Sequence, residues 1–229
     1  MSGFVFAPAD VASVPVVDSA ARFPVHRIYC IGRNYEAHAR EMNATVSLDA
    51  PVFFMKPADA VVTDGADVPY PSATQDLHHE VELVVALRSG GRDLDKSAAQ
   101  AAIYGYAVGL DLTRRDLQAQ AKAKGLPWDT AKGFDASAPI GAITPIAQCG
   151  HPASGTLCLD VNGVTRQSAD IATMVMAIAD IIAALSSCYE LRAGDLIYTG
   201  TPAGVAALQR GDVFAARFPG LAELRGRIT

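Results

Sequence analysis

Glu80 and Glu82, two residues apart at the head of the run Val81 to Leu87, are the side chains of this sequence best placed to do chemistry. In an extended strand, residues two apart share a face, so both carboxylates point one way while Val81, Leu83, Val85 and Leu87 point the other. Val84 and Ala86 continue the acidic face and carry it toward an apolar interior. Charges drawn there require an ionic partner or a bound cation, and oxygen-only donors suit Mg²⁺, Mn²⁺ or Ca²⁺. Asp111, where the apolar run Ile103–Leu110 ends, offers a third oxygen donor. Three carboxylates leave about three octahedral positions for water or substrate, the usual catalytic arrangement for Mg²⁺. The residues thus predict a hard-metal site at Glu80, Glu82 and Asp111; a bare Glu-x-Glu would otherwise read as a solvated edge strand. His78 and His79 adjoin the acids, but His79 alternates away from their face.

A second constellation lies at His38-x-x-Glu41. Residues three apart on a helix are neighbours, and a carboxylate beside an imidazole orients it and raises its proton affinity, which suits the pair to taking a proton from water. The bland alternative is an exposed polar pair. Lys132, in the loop-like stretch from Gly125 to Asp135 that holds the single Trp, is either a surface charge or a cation that meets negative charge developing on a substrate. The turn Gly200-Thr201-Pro202-Ala203-Gly204 is able to present backbone N–H groups and a hydroxyl to a carboxylate. No Walker loop, G-x-G-x-x-G, nucleophile elbow or H-E-x-x-H occurs, so nucleotide, serine-hydrolase and zincin chemistries have no support.

The elements that must position these groups read mostly as strands: Arg27–Ile31, Val52–Met55, Val81–Leu87, Thr156–Val161 and Asp195–Thr199, with a hairpin at Asn162-Gly163. Helices are predicted at 35–42, 96–103, 115–124 and 173–185. Asn34 is the predicted N-cap of the first, and Thr113-x-x-Asp116 a capping box for the third, which Gly125 and Pro127 should end. The fold class is strand-rich α+β.

The chain has 229 residues, 50% hydrophobic content and a net charge of −5. That is an ordinary globular composition with one sizeable core. That charge and the lack of Lys/Arg blocks argue against nucleic acid or an anionic membrane surface as partner, and a small molecule is expected. Four scattered cysteines without a C-x-x-C pair point to reduced thiols. No signal peptide or membrane span is legible, and the expected location is the cytoplasm.

Gly32-Arg33-Asn34-Tyr35, His38-x-x-Glu41, His79-Glu80-x-Glu82, Asp111-x-x-x-Arg115-Asp116, Lys132-Gly133-Phe134-Asp135 and Gly200-Thr201-Pro202 occur in register. In this order and spacing the chain resembles the fumarylacetoacetate hydrolase family from about residue 27 onward. Within it the chain is most like the bacterial fumarylpyruvate hydrolase and acylpyruvase branch, through Arg114 to Gln118 and Pro127 to Asp135. The resemblance implies a mixed β-sandwich roll for 27–229, with 1–26 an extension packed on the same domain, and a homodimer. It also implies Mg²⁺ or Mn²⁺ on Glu80, Glu82 and Asp111 and maps Arg115, Gln118, Lys132 and Thr201 onto substrate-contacting positions; His38 with Glu41 is the expected water-activating pair and Lys132 the catalytic cation beside the developing enolate. The implied reaction is hydrolysis of a carbon–carbon bond in a β-diketo acid, 3-fumarylpyruvate giving fumarate and pyruvate in gentisate-type aromatic degradation. The far carboxylate of that substrate needs a cation, for which Arg33, just before the helix bearing His38, is the candidate. Oxaloacetate decarboxylation, general acylpyruvase activity and non-catalytic organic-acid or metal binding are the alternatives. Ala206 replaces a glycine usual in relatives, so the loop there is expected to differ.

Overall fold

The strand Val81–Leu87 is buried along its whole length and lies third in a six-stranded sheet. The order is Thr144–Pro145, Ile103–Leu110, Val81–Leu87, Leu196–Tyr198, Ile28–Gly32 and Val52–Lys56. Only Leu196–Tyr198 and Ile28–Gly32 run parallel; the other pairs are antiparallel, making a mixed sheet. The computed structural model describes residues 3–42, 51–63 and 65–229.

Alternation along Val81–Leu87 separates two cores. Val81, Leu83, Val85 and Leu87 face a cluster that includes Val108, Leu157, Leu159, Ile181 and Phe214, whereas Val84 and Ala86 face one with Val14, Cys30, Ala107 and Tyr198. Both faces are covered, so the acidic strip does enter the interior. The first core is closed by an antiparallel four-stranded sheet, ordered Val164–Asp170, Thr156–Val161, Val213–Arg217 and Leu224–Arg227. Helices Lys96–Ala101 and Ile178–Cys188 pack on each other beside it. A small sheet of Ala206–Leu208, Leu77–His79 and Thr113–Arg114 crosses the entrance to Val81–Leu87. Strand-rich α+β of mixed-sheet type is the architecture observed.

Three local readings are corrected by tertiary contacts. Asn34 caps no helix; Tyr35 holds the N-cap position, and the Asn34 amide donates to Met176 O and Thr199 O while accepting from Met176 N. With Val175 N bonded to Asn34 O, the segment 174–176 is held out of the helix. The predicted helix 173–185 is therefore delayed: a 3₁₀ turn covers Ile171–Thr173 and the helix runs Ile178–Cys188. Thr113 and Asp116 make no capping box, because Thr113 lies in a strand and Asp116 accepts from Thr74 Oγ1 and Gln75 N. Gly125 ends helix Arg115–Lys124 in the left-handed region as expected, and Asn162-Gly163, both at positive φ, form the hairpin turn. Ala206 opens the strand Ala206–Leu208 and has no positive φ, so alanine is accommodated there.

Candidate active site and metal centre

Antiparallel pairing sets Val81 opposite Leu110, so the next residues outward, Glu80 and Asp111, meet at the ends of these two interior strands, where Asp111 N donates to Glu80 O at 2.8 Å. Glu82 lies one pleat further in. The three carboxylates are buried, and their nearest oxygens lie within 4.8 Å of one another.

Three cations surround this triad. Lys132, at the end of the short helix Asp129–Lys132, spends its donors on Glu80 Oε2 at 2.8 Å, Asp111 Oδ2 at 2.6 Å and Thr113 Oγ1 at 2.6 Å. Arg115 bonds Glu80 Oε1 through one arm and Gln118 Oε1 through the other at 2.7 Å. Lys56 Nζ faces Asp111 Oδ1 at 2.9 Å and donates to Leu112 O and Lys132 O. Burial alone would raise the Glu80 carboxyl, but Lys132 and Arg115 hold it well below the usual range. Burial would likewise lower the Lys132 ammonium, and Asp111 and Glu80 outweigh it and raise it.

Glu82 differs. Gly200 N donates to its Oε2 at 2.7 Å, yet no cation pairs with it among the described residues. Burial first, then Asp111 and Glu80, push its carboxyl well above the usual range. A buried oxygen-donor triad whose innermost member lacks counter-charge fits a divalent cation in both chemistry and charge. Glu80, Glu82 and Asp111 are the residues that would hold it.

The pocket over the triad is lined by His38, Arg33, Gln118, Trp128 and Thr201 among others. Helix Glu36–Glu41 carries His38, whose Nδ1 is 3.2 Å from Glu41 Oε2, as the three-residue spacing predicts. The turn after Leu196–Tyr198 anchors both halves of the site: Gly200 N holds Glu82, and Gly204 N holds Glu41 at 3.2 and 3.3 Å. Both glycines require positive φ, and a Cβ at Gly204 would fall 2.3 Å from Arg166 O. Two of the turn's N–H groups, those of Gly200 and Gly204, thus serve the protein's own carboxylates. Thr201 is at the pocket wall, but its hydroxyl donates to Val81 O and accepts from Gln167 Nε2, both at 2.8 Å. Arg33 lines the pocket with φ at +64°, a strained value for a residue with a Cβ.

His79 turns away to Gln167, as alternation requires, and His78 binds Asp76. Lys56 and Gln167 were not legible as site residues. Lys56 ends a run of four apolar residues and reads as a strand terminator, while Gln167 sits in a strand of polar residues where nothing local marks it. Gln167 in fact joins His79 Nδ1, Val81 N, Thr201 Oγ1 and Pro202 O across two sheets.

The family description fumarylacetoacetate (FAA) hydrolase C-terminal matches residues 27–229. The chain belongs to the fumarylacetoacetate hydrolase family. Among solved structures, fumarylpyruvate hydrolase from Pseudomonas aeruginosa in complex with Mn²⁺ and pyruvate is 45% identical with a TM-score of 0.96, covering 99% of each chain. The fumarylpyruvate hydrolase of a Ralstonia species is 43% identical over 178 residues, 78% of this chain and 92% of its own. A mitochondrial oxaloacetate tautomerase of Rattus norvegicus is 42% identical over 201 residues, 88% of this chain and 90% of its own.

Proposed function

We propose that this protein hydrolyses a carbon–carbon bond in a β-diketo acid, with 3-fumarylpyruvate as substrate and fumarate and pyruvate as products. The observation that carries the reading is that His38, paired with Glu41, lines the same pocket as the Glu80, Glu82 and Asp111 triad. Likeness to a fumarylpyruvate hydrolase solved with Mn²⁺ and pyruvate supports it, pyruvate being one of the two products. Glu80, Glu82 and Asp111 would hold Mg²⁺ or Mn²⁺, which would supply Lewis acidity at the pyruvyl end of the substrate.

The chain's own residues do the rest. Glu41 Oε2, opposite Nδ1, leaves His38 Nε2 to accept a proton from water, whose oxygen attacks the carbonyl distal to the pyruvyl group. The bond from that carbonyl to the central methylene breaks, and the methylene takes up a proton to give pyruvate. Lys132 and Arg115 are bonded to the carboxylates of the triad, so their part is to fix Glu80 and Asp111 and to leave the site less anionic. Gln118 holds Arg115 in turn. Trp128 and Phe54, whose ring centroids lie 5.8 Å apart, wall the pocket. Arg33 meets the far carboxylate. A cytoplasmic homodimer in aromatic catabolism is the setting we infer, Phe4, Val5 and Phe6 being exposed apolar residues for a second copy to cover.

Oxaloacetate tautomerisation is the second reading, favoured by a relative of that activity at nearly the same identity. It moves a proton between carbon and oxygen and consumes no water. Product analysis with fumarylpyruvate, acetylpyruvate and oxaloacetate separates the two, since only hydrolysis yields two acids per substrate.

A further inference from the structure

Helix Arg115–Lys124 presents Arg115, Gln118 and Lys122 on one face, spaced three and then four residues, and all three line the pocket. Arg115 and Gln118 are buried at the triad end. Two turns on, roughly 10 Å along the axis, Lys122 is exposed at the mouth, its Nζ 5.1 Å from the centroid of the Trp128 ring. That separation is comparable with the length of an extended seven-carbon diacid.

The cations of the pocket fall into two groups. Lys132 and Arg115 are each bound to a triad carboxylate. Lys122 and Arg33, among the described residues, pair with no carboxylate. Lost hydration against the indole, followed by repulsion from Arg115 and Arg33, draws the Lys122 ammonium down from 10.5 to about 8, with Glu80 opposing and Lys132 adding to the effect. It remains a cation at neutral pH, held near like charges and, among the described residues, in no ion pair. Such a group gains attraction and relief of repulsion together when a carboxylate arrives.

We propose that Lys122 determines substrate specificity by binding, alongside Arg33, the far carboxylate of a dicarboxylic acylpyruvate, with Trp128 steering its ammonium through a cation–π contact. This rests on the hydrolase reading above and adds to it the residue that separates dicarboxylic from monocarboxylic substrates.

The test compares fumarylpyruvate with acetylpyruvate for the wild type, Lys122→Met and Lys122→Arg. Methionine keeps the stem over the indole and removes the charge. Loss of one charge-assisted contact predicts a fall in kcat/KM for fumarylpyruvate of about 10-fold to 100-fold, carried by KM. Acetylpyruvate should change by less than about threefold, and arginine should restore most of the loss. Equal losses on both substrates in Lys122→Met would reduce Lys122 to a structural prop for Trp128 and overturn the inference, as would an unchanged fumarylpyruvate rate. A wild type that cleaves neither substrate overturns the hydrolase reading itself, and the inference with it.

Discussion

At the scale of single residues, Glu82 is the carboxylate whose charge depends most on a cation, because no lysine or arginine among the described residues reaches it. Glu82→Gln removes that negative charge at nearly constant shape. Mn²⁺ affinity measured by calorimetry should therefore fall by more than the roughly 10-fold to 100-fold typical of losing a residue behind the ligands, while the melting temperature stays near wild type. Unchanged Mn²⁺ binding would remove Glu82 from the site. His38 and Glu41 act as one unit in the proposed chemistry. His38→Ala, Glu41→Ala and the double variant should then lose kcat by similar factors of ~10² to 10⁴, and additive losses in the cycle would break the pair into two independent contributions. Both constellations were legible because they rest on local periodicity, period two for Glu80 and Glu82 and a three-residue step for His38 and Glu41. Lys56 and Gln167 were not, because their partners lie far along the chain, at Asp111 and at Thr201.

At the scale of elements, hydrophobic alternation predicted the strands Val81–Leu87 and Thr156–Val161 to the residue, since each is bounded by residues that break the pattern. The helix predicted from Thr173 failed for a tertiary reason: Asn34, in the segment before helix Glu36–Glu41, bonds the backbone of Val175 and Met176 and keeps it out of the helix. Asn34 is thereby fixed to Thr199 O as well, which ties the start of the His38 helix to the strand that leads into the Gly200–Gly204 turn. Gln167 makes the matching tie from the other sheet. Gln167→Leu leaves buried donors and acceptors on His79, Val81, Thr201 and Pro202 without their partner, an expected cost of about 2–4 kcal/mol. Thermal unfolding should shift down by roughly 4–16 °C for a chain of this size; a shift under about 2 °C would show that the bridge is replaced by water.

At the scale of the whole molecule, the site is assembled at the strand ends of one mixed sheet by segments from distant parts of the chain. No helix among the described residues is long and apolar enough to cross a membrane. Phe4, Val5 and Phe6 are 77%, 99% and 81% exposed, an apolar surface that a second copy would cover. Light scattering should return twice the 24.0 kDa of one chain, and a monomer at micromolar concentration would refute the homodimer. The central claim is carbon–carbon hydrolysis, and oxygen labelling tests it most directly. Incubation with fumarylpyruvate and Mn²⁺ in ¹⁸O-water should yield fumarate and pyruvate in equal amounts, with the water oxygen in the new carboxylate of fumarate and the product lost in His38→Ala. Rapid keto–enol exchange of oxaloacetate, with fumarylpyruvate recovered intact and no labelled fumarate, would contradict the account.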